Sequence, residues 1–158
     1  MVNLPVIITQ AVIEDAAEVL SLQKLAYQSE ADIYQDYSIP PLIQTLAEIK
    51  AEFDSRLFLK VTTAGRIIGS VRAYLQDETG YIGRLIVHPD FQNRGIGTKL
   101  MQAIEQQFPL AKRYELFTGG RSEGNLYLYQ KLGYKIFRRE RVTERLELVF
   151  LEKQVTLG

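Results

Sequence analysis

Apolar and polar positions change period repeatedly along this chain, and each change predicts an element boundary. Val6–Val12, "VIITQAV", is short and β-branched and predicts a strand. "IEDAAEVLSLQKLAYQ" places Ala16, Val19, Leu20, Leu22 and Ala26 near helical spacing, with Glu14 and Asp15 in its first turn. "SEADIYQDYSIPP" reads as a connection. Pro41 can open a second helix, "PLIQTLAEIKAEF", whose Leu42, Ile43, Leu46, Ile49 and Phe53 share one stripe. "RLFLKVTT", "GRIIGSVRAYLQ" and "GYIGRLIV" are strand-like, and the turn signals "AGR" and "DETG" between them predict an antiparallel meander. "IGTKLMQAIEQQF" predicts a helix with Ile96, Leu100, Ile104 and Phe108 on one side. "YELFT" predicts a strand, "NLYLYQKL" a short helix, and "YKIFRRER" and "RLELVFL" a final strand pair. The order β-α-α-β-β-β-α-β-α-β-β predicts an α/β (α+β) fold: a mixed, seven-stranded sheet with helices on both faces. Tyr81 to Thr118 should form a right-handed parallel crossover. No repeat, low-complexity tract or linker interrupts the pattern, so residues 1–158 are expected to form a single domain.

Composition narrows the partners. The chain is 46% apolar and 24% charged, ordinary for a soluble globular protein with a real core. Lys+Arg and Asp+Glu both number 19, and this zero formal charge argues against a nucleic-acid partner. With no cysteine and the single histidine His88, neither a metal centre nor a thiol nucleophile is expected. The N-terminal apolar run is too short to cross a bilayer and follows no basic segment, so the expectation is a cytoplasmic protein without a membrane partner.

The chemistry gathers at "RLIVHPDFQNRGIGTKLMQAIEQQF", where Gly95 and Gly97 stand between a strand and a helix. The first N–H groups of a helix lack internal partners and carry partial positive charge. A phosphate accepts several of them at once, provided side chains leave room. Arg94 adds a formal charge beside them. The same two glycines are equally compatible with a plain tight connection. Two other phosphate patterns fail: the Lys–Ser/Thr order of the Walker loop is reversed in "GTK", and the third glycine of the dinucleotide fingerprint is Leu100.

The run Gln92-Asn93-Arg94-Gly95-Ile96-Gly97 does resemble the acetyl-CoA motif of the GNAT superfamily of N-acetyltransferases, Gln/Arg-x-x-Gly-x-Gly/Ala. "RSEGNLYLYQKLGYKIF" is similar to that family's late helix and following strand, and the element order agrees along nearly the whole chain. The resemblance implies a mostly antiparallel sheet in which two parallel strands splay apart around the cofactor's pantetheine arm. Leu85, Ile86 and Val87 would lie along that arm, and the Leu85 N–H would stabilise the oxyanion. Gln92, Asn93, Arg94, Gly95, Ile96, Gly97 and Thr98 would surround the pyrophosphate. Asn125 would contact the arm, and Tyr129 would protonate the departing CoA thiolate. A tyrosine hydroxyl can supply such a proton. Without cysteine, direct attack in a ternary complex is favoured over a thiol intermediate. Tyr127 and Tyr134 read as packing residues.

One position departs from the family. Many members carry a glutamate base four residues before the oxyanion amide, where this chain has Tyr81. The base is unassigned: a water chain, Glu30 or Asp32 remain open, and His88, preceding Pro89, reads as a turn or capping residue. Glu30, Asp32 and Tyr34 in "YQSEADIYQDY" suit a cationic amine through charge and ring-face contact, although composition alone slightly favours a solvated acidic loop. The expected activity is acetyl transfer from acetyl-CoA to a small amine or a protein amino group, by a monomer or homodimer. The alternatives are a non-catalytic acyl-CoA-binding or sensing module on this fold and a generic phosphate-binding protein.

Overall fold

Seven strands form one sheet in the order β1-β2-β3-β4-β5-β7-β6 in the computed structural model of the protein, which describes residues 5–156. The strands are β1 (Ile7–Gln10), β2 (Leu57–Thr63), β3 (Arg66–Gln76), β4 (Thr79–Val87), β5 (Arg113–Gly119), β6 (Lys135–Arg141) and β7 (Glu147–Gln154). All neighbours are antiparallel except β4 and β5. The helices are α1 (Ala16–Ala26), α2 (Gln28–Tyr34), α3 (Pro40–Ile43), α4 (Leu46–Glu52), α5 (Ile96–Gln106) and α6 (Glu123–Lys131). None of the helices among the described residues is long and apolar enough to cross a membrane.

Two corrections to the sequence reading concern the helices. The connection expected over 29–41 contains α2, whose Ala31 and Tyr34 are buried one helical turn apart. It ends where Gln35 takes a left-handed conformation, φ 50°. The helix expected over 41–53 is split into α3 and α4. Thr45 stands at the break, and its side chain accepts the Glu48 N–H while the Glu48 carboxylate accepts the Thr45 N–H. This capping box starts a new helix instead of continuing the old one.

Successive side chains of a strand point to opposite faces, and the core divides accordingly. Phe58 and Ile67 join a cluster with Val19, Leu22 and Ile49 of α1 and α4. Their neighbours Leu59 and Ile68 join Leu100, Met101 and Ile104 of α5. Full burial of each of these three side chains contributes about 1.5–3 kcal/mol.

Pairing between β4 and β5 covers only Thr79–Tyr81 against Arg113–Glu115. Both strands run on beyond that point, each held on its far edge: β4 by β3 and β5 by β7 along all of its length. Two residues of β4, Arg84 and Leu85, oppose the single residue Val71 of β3. Arg84 has φ 50° at this bulge. A bulge bends its strand, and this one lies where β4 has parted from β5.

A polar network fastens α1, α3 and α4 to this sheet. Arg72 of β3, 3% exposed, donates to Glu52 at 3.0 Å and to Gln23. The Gln23 amide in turn donates to the Pro41 carbonyl at 2.8 Å and to Gln44 at 2.9 Å. Burial works against the Glu52 carboxylate, yet Arg72, Gln44 and Arg56 outweigh it and hold its pKa below the ordinary value. Burial also pushes Arg72 down to about 10, although Glu52 opposes that shift. Arg72 is the more deeply buried of the two, and its lost hydration is the largest influence on it.

A folded pKa below the unfolded one gives stability that is complete above the ordinary glutamate value, about 4.3. It is lost as pH falls through the folded value. Glu52→Gln is expected to cost about 1–3 kcal/mol at pH 7 and to flatten the acid limb of stability below that point. Urea midpoints measured across pH check this, and a limb as steep as that of the parent protein would refute it.

Candidate active site

The opening between β4 and β5 is occupied by two cavities. The larger, about 500 Å³, runs from the β4 edge to the start of α5 and the α6 face. The smaller, about 270 Å³, lies on the other side of the opening against the β6–β7 hairpin. Tyr27, Glu30, Leu85 and Asn125 border both, so the cavities meet at these residues.

The larger cavity gathers most of the residues expected to surround a cofactor. Leu85, Ile86, Val87, Gln92, Asn93, Gly95, Ile96, Gly97, Thr98 and Asn125 all line it. Arg94 does not: it is exposed, with its guanidinium over the Phe91 ring at 5.3 Å. Among the described residues, the N–H groups from Asn93 to Thr98 make no hydrogen bond, and the first helical bond of α5 is Lys99 N–H to the Gly95 carbonyl. Asn93 and Gly95 both have positive φ, 63° and 81°. These conformations turn the segment so that its amides follow one another into α5.

The two glycines serve different needs. A Cβ at Gly95 would meet nothing within 4 Å, so its left-handed backbone is what requires glycine there. A Cβ at Gly97 would lie 3.3 Å from Leu128 Cδ2 and 3.9 Å from Leu85 Cδ2. The absent side chain at Gly97 thus admits a close approach of α6 and β4 to α5, in addition to bordering the cavity.

Tyr129 lines the smaller cavity at 6% exposure, and its hydroxyl has no hydrogen-bond partner among the described residues. Burial, then Tyr27 and Glu30, raise its pKa and keep the hydroxyl protonated. Tyr127, read above as a packing residue, is 69% exposed and borders the larger cavity. Tyr134 is buried and donates to Glu105 at 2.8 Å.

Of the three carboxylates in the acidic stretch, Glu30 borders the cavities and Asp32 and Asp36 do not. The Glu30 carboxylate accepts from Ser122 Oγ and from Asn125 Nδ2 at 3.4 Å. Asn125 also donates to Thr118 Oγ1 at 3.2 Å. Asp32 is exposed, outside both cavities, and accepts from the Tyr37 hydroxyl at 2.6 Å. Two residues along a helix turn the side chain through roughly 200°, so Glu30 and Asp32 point to opposite sides. Asp32, read above as a substrate residue, is therefore placed apart from the cavities that Glu30 borders. Tyr34 borders the smaller cavity, but it is 3% exposed and its hydroxyl is engaged with Ser122 Oγ and the Arg121 N–H, both at 2.9 Å. It ties α2 to the turn before α6. His88 caps the turn after β4, with Nδ1 accepting the Asp90 N–H at 3.1 Å.

Arg84 was not singled out in the sequence, yet it borders the smaller cavity beside Tyr27. The lone charge inside the apolar run "YIGRLIV" was the available signal for Arg84. Tyr81 stacks on Tyr74 at 5.1 Å, away from both cavities.

A parted parallel pair with a helix N-terminus below it and a tyrosine within it is the arrangement that the resemblance to the GNAT superfamily implies. The acetyltransferase (GNAT) family model matches residues 17–134, and the chain belongs to that family. The chain is 29% identical over 120 residues to the protein YqkA of Bacillus subtilis and 30% identical over 92 residues to an acetyltransferase of Sodalis glossinidius. These matches take in 76% and 56% of the chain but 34% and 64% of those relatives, so the chain spans only part of their length. The ribosomal-protein-S18-alanine N-acetyltransferase of Escherichia coli superposes with a TM-score of 0.79 at 14% identity, over 98% of this chain and 96% of that one. The acetyltransferase YncA of Salmonella typhimurium, solved with its cofactor acetyl-CoA, superposes at 0.75 with 16% identity, over 97% and 95%. At such identities the likeness is one of fold.

The Tyr34 strut sets a demand on its surroundings. A Cβ built at Gly119 would fall 2.0 Å from the Tyr34 hydroxyl oxygen. Gly119→Ala is expected to destabilise the protein by about 1–3 kcal/mol through overpacking, and by far less in a Tyr34→Ala background. Urea unfolding of the four proteins of this cycle checks it; equal costs in both backgrounds would show that the two positions do not collide.

Proposed function

We propose that the protein, acting through residues 1–158 as one domain, moves the acetyl group of acetyl-CoA to a primary amine by direct attack in a ternary complex. The meeting of two cavities at Tyr27, Glu30, Leu85 and Asn125, with Tyr129 beside them, carries this reading. It gives one opening to a cofactor and another to an acceptor, with reactive groups only where the two join. Family membership supports acetyl-CoA as the cosubstrate.

The residues present suit that cosubstrate. The unpaired N–H groups from Asn93 to Thr98 and the positive end of α5 would bind its pyrophosphate. The β4 edge at Leu85, Ile86 and Val87 has lost β5 as a partner, and an extended amide-bearing arm can pair with it as an added strand. Asn125 would border that arm. The Leu85 N–H, beside the bulge, would face the thioester carbonyl oxygen and stabilise the charge that develops there.

Transfer forms a carbon–nitrogen bond and breaks a carbon–sulfur bond. The amine gives up one proton, and the departing sulfur takes one. Glu30 is the carboxylate at the junction and would receive the first, directly or through one water. Tyr129, held protonated by burial, would supply the second. Tyr34 forms part of the acceptor wall.

Free CoA should appear when acetyl-CoA and a panel of amines are mixed with the protein; acetyl-CoA that binds but is never consumed across the panel would favour a non-catalytic binding module. Tyr129→Phe removes the hydroxyl and little packing, so kcat should fall by roughly 10²–10⁴ while acetyl-CoA affinity measured by calorimetry is kept. A loss of only a few-fold would reduce Tyr129 to a packing role.

A further inference from the structure

The smaller cavity has features that a plain cationic amine does not explain. Its walls are mostly apolar, with Ile39, Phe117, Val142, Leu146 and Leu148 around it. Arg84 stands among them. It is partly buried, it borders this cavity and not the larger one, and no carboxylate among the described residues forms an ion pair with it. The nearby Arg72 has Glu52 as its partner; Arg84 has no equivalent. The Tyr27 hydroxyl lies against the Arg84 guanidinium as a polar but uncharged partner, so the cavity holds no anion that neutralises it.

Glu30 borders the same cavity, and no ion pair joins it to Arg84. Both act electrostatically on the Tyr27 hydroxyl, so the opposite charges flank one side chain. A cavity of about 270 Å³ falls below the usual range for drug-sized ligands, about 300–1,000 Å³. The hairpin that closes it is held to α2 by Arg145, whose guanidinium donates to the Gln35 carbonyl at 2.9 Å. Arg84 also disfavours a molecule bearing positive charge alone.

Resting on the acetyltransferase reading, we propose that the acceptor is an α-amino acid with an apolar side chain. Its carboxylate sits on the Arg84 guanidinium, its amine lies toward Glu30 and the Leu85 amide, and its side chain rests on the walls formed by Ile39, Phe117 and the hairpin residues Val142, Leu146 and Leu148. A carboxylate matches the planar fork of a guanidinium in two parallel hydrogen bonds. That grip fixes the adjacent amine. The positive charge of Arg84 also disfavours the ammonium form of the acceptor, and only the neutral amine attacks.

The test pairs L-leucine, L-methionine and L-phenylalanine with the amines obtained by removing their carboxylates, isopentylamine, 3-(methylthio)propylamine and 2-phenylethylamine, and with leucinamide. At least one amino acid should exceed its decarboxylated partner and leucinamide by tenfold or more in kcat/KM. Arg84→Gln should bring that ratio toward one and change the acetyl-CoA KM less than twofold, whereas Arg84→Lys, which keeps the charge, should retain a preference for the amino acid. Should Arg84→Gln fail to fold, the ratios of the parent protein and of Arg84→Lys decide. A decarboxylated amine used as well as its amino acid, or both lowered alike by Arg84→Gln, would overturn the proposal while leaving the acetyltransferase reading in place. So would calorimetric binding of acetyl-CoA with no amino acid consumed. Failure of acetyl-CoA to bind at all would remove the underlying reading, and the proposal with it.

Discussion

The two cavities of this molecule depend on the early end of pairing between two parallel strands. Main-chain N–H and C=O groups in a sheet normally satisfy one another, and leaving them without partners inside a protein costs free energy. Here β4 and β5 pair over three positions and then diverge, each still held on its other edge. The exposed edge of β4 is therefore rigid and ready to bond. A flexible loop with the same N–H groups would have to be ordered first. The bulge at Arg84 adds to this arrangement, since it bends β4 where the strand has parted from β5 and sets Arg84 on the wall of the smaller cavity.

The opening must be kept from collapsing, and side chains from distant parts of the chain do so. Glu30 of α2 accepts from Ser122 and Asn125 near the start of α6, and Tyr34 bonds to Ser122 and to the Arg121 N–H. These bonds span the top of the gap and join the helical layer over β1–β4 to the β5–α6 turn. On the opposite face α5 packs Leu100, Met101 and Ile104 under the sheet and fixes where its own N-terminus points. The cavities are thus framed by two independent sets of interactions, one polar and partly exposed, one apolar and buried.

Much of this was legible in the sequence where a local rule coincides with the global need. The meander β2–β3–β4 and the α5 stripe were readable because alternation and helical spacing are set by the same burial that builds the core. The strand–helix junction at Gln92–Thr98 was readable from its two glycines, and the structure sets both beside the larger cavity, while spacing alone left a plain tight connection equally open. The α2 helix was missed because its charged positions resemble those of a loop, and only Ala31 and Tyr34 face inward. The split of α3 from α4 was written in Thr45 and Glu48, but the apolar stripe running through the break outweighed it. Arg84 could not be placed, since its importance depends on a bulge and on two cavities meeting, neither of which periodicity encodes. Asp32 and Glu30 look equivalent along the chain and differ only once a helix separates their directions.

The contact of Tyr34 with Gly119 has a meaning across relatives as well as within one molecule. A tyrosine hydroxyl resting on a bare α-carbon makes the two positions one unit of inheritance. A side chain at the second position displaces the tyrosine or requires a shorter residue in its place, and either change loosens the bond to Ser122, which in turn donates to Glu30. Val142, Leu146 and Leu148 shape the wall of the smaller cavity, while the strut beside the Glu30 carboxylate accommodates a side chain at position 119 at least cost when position 34 is shortened with it.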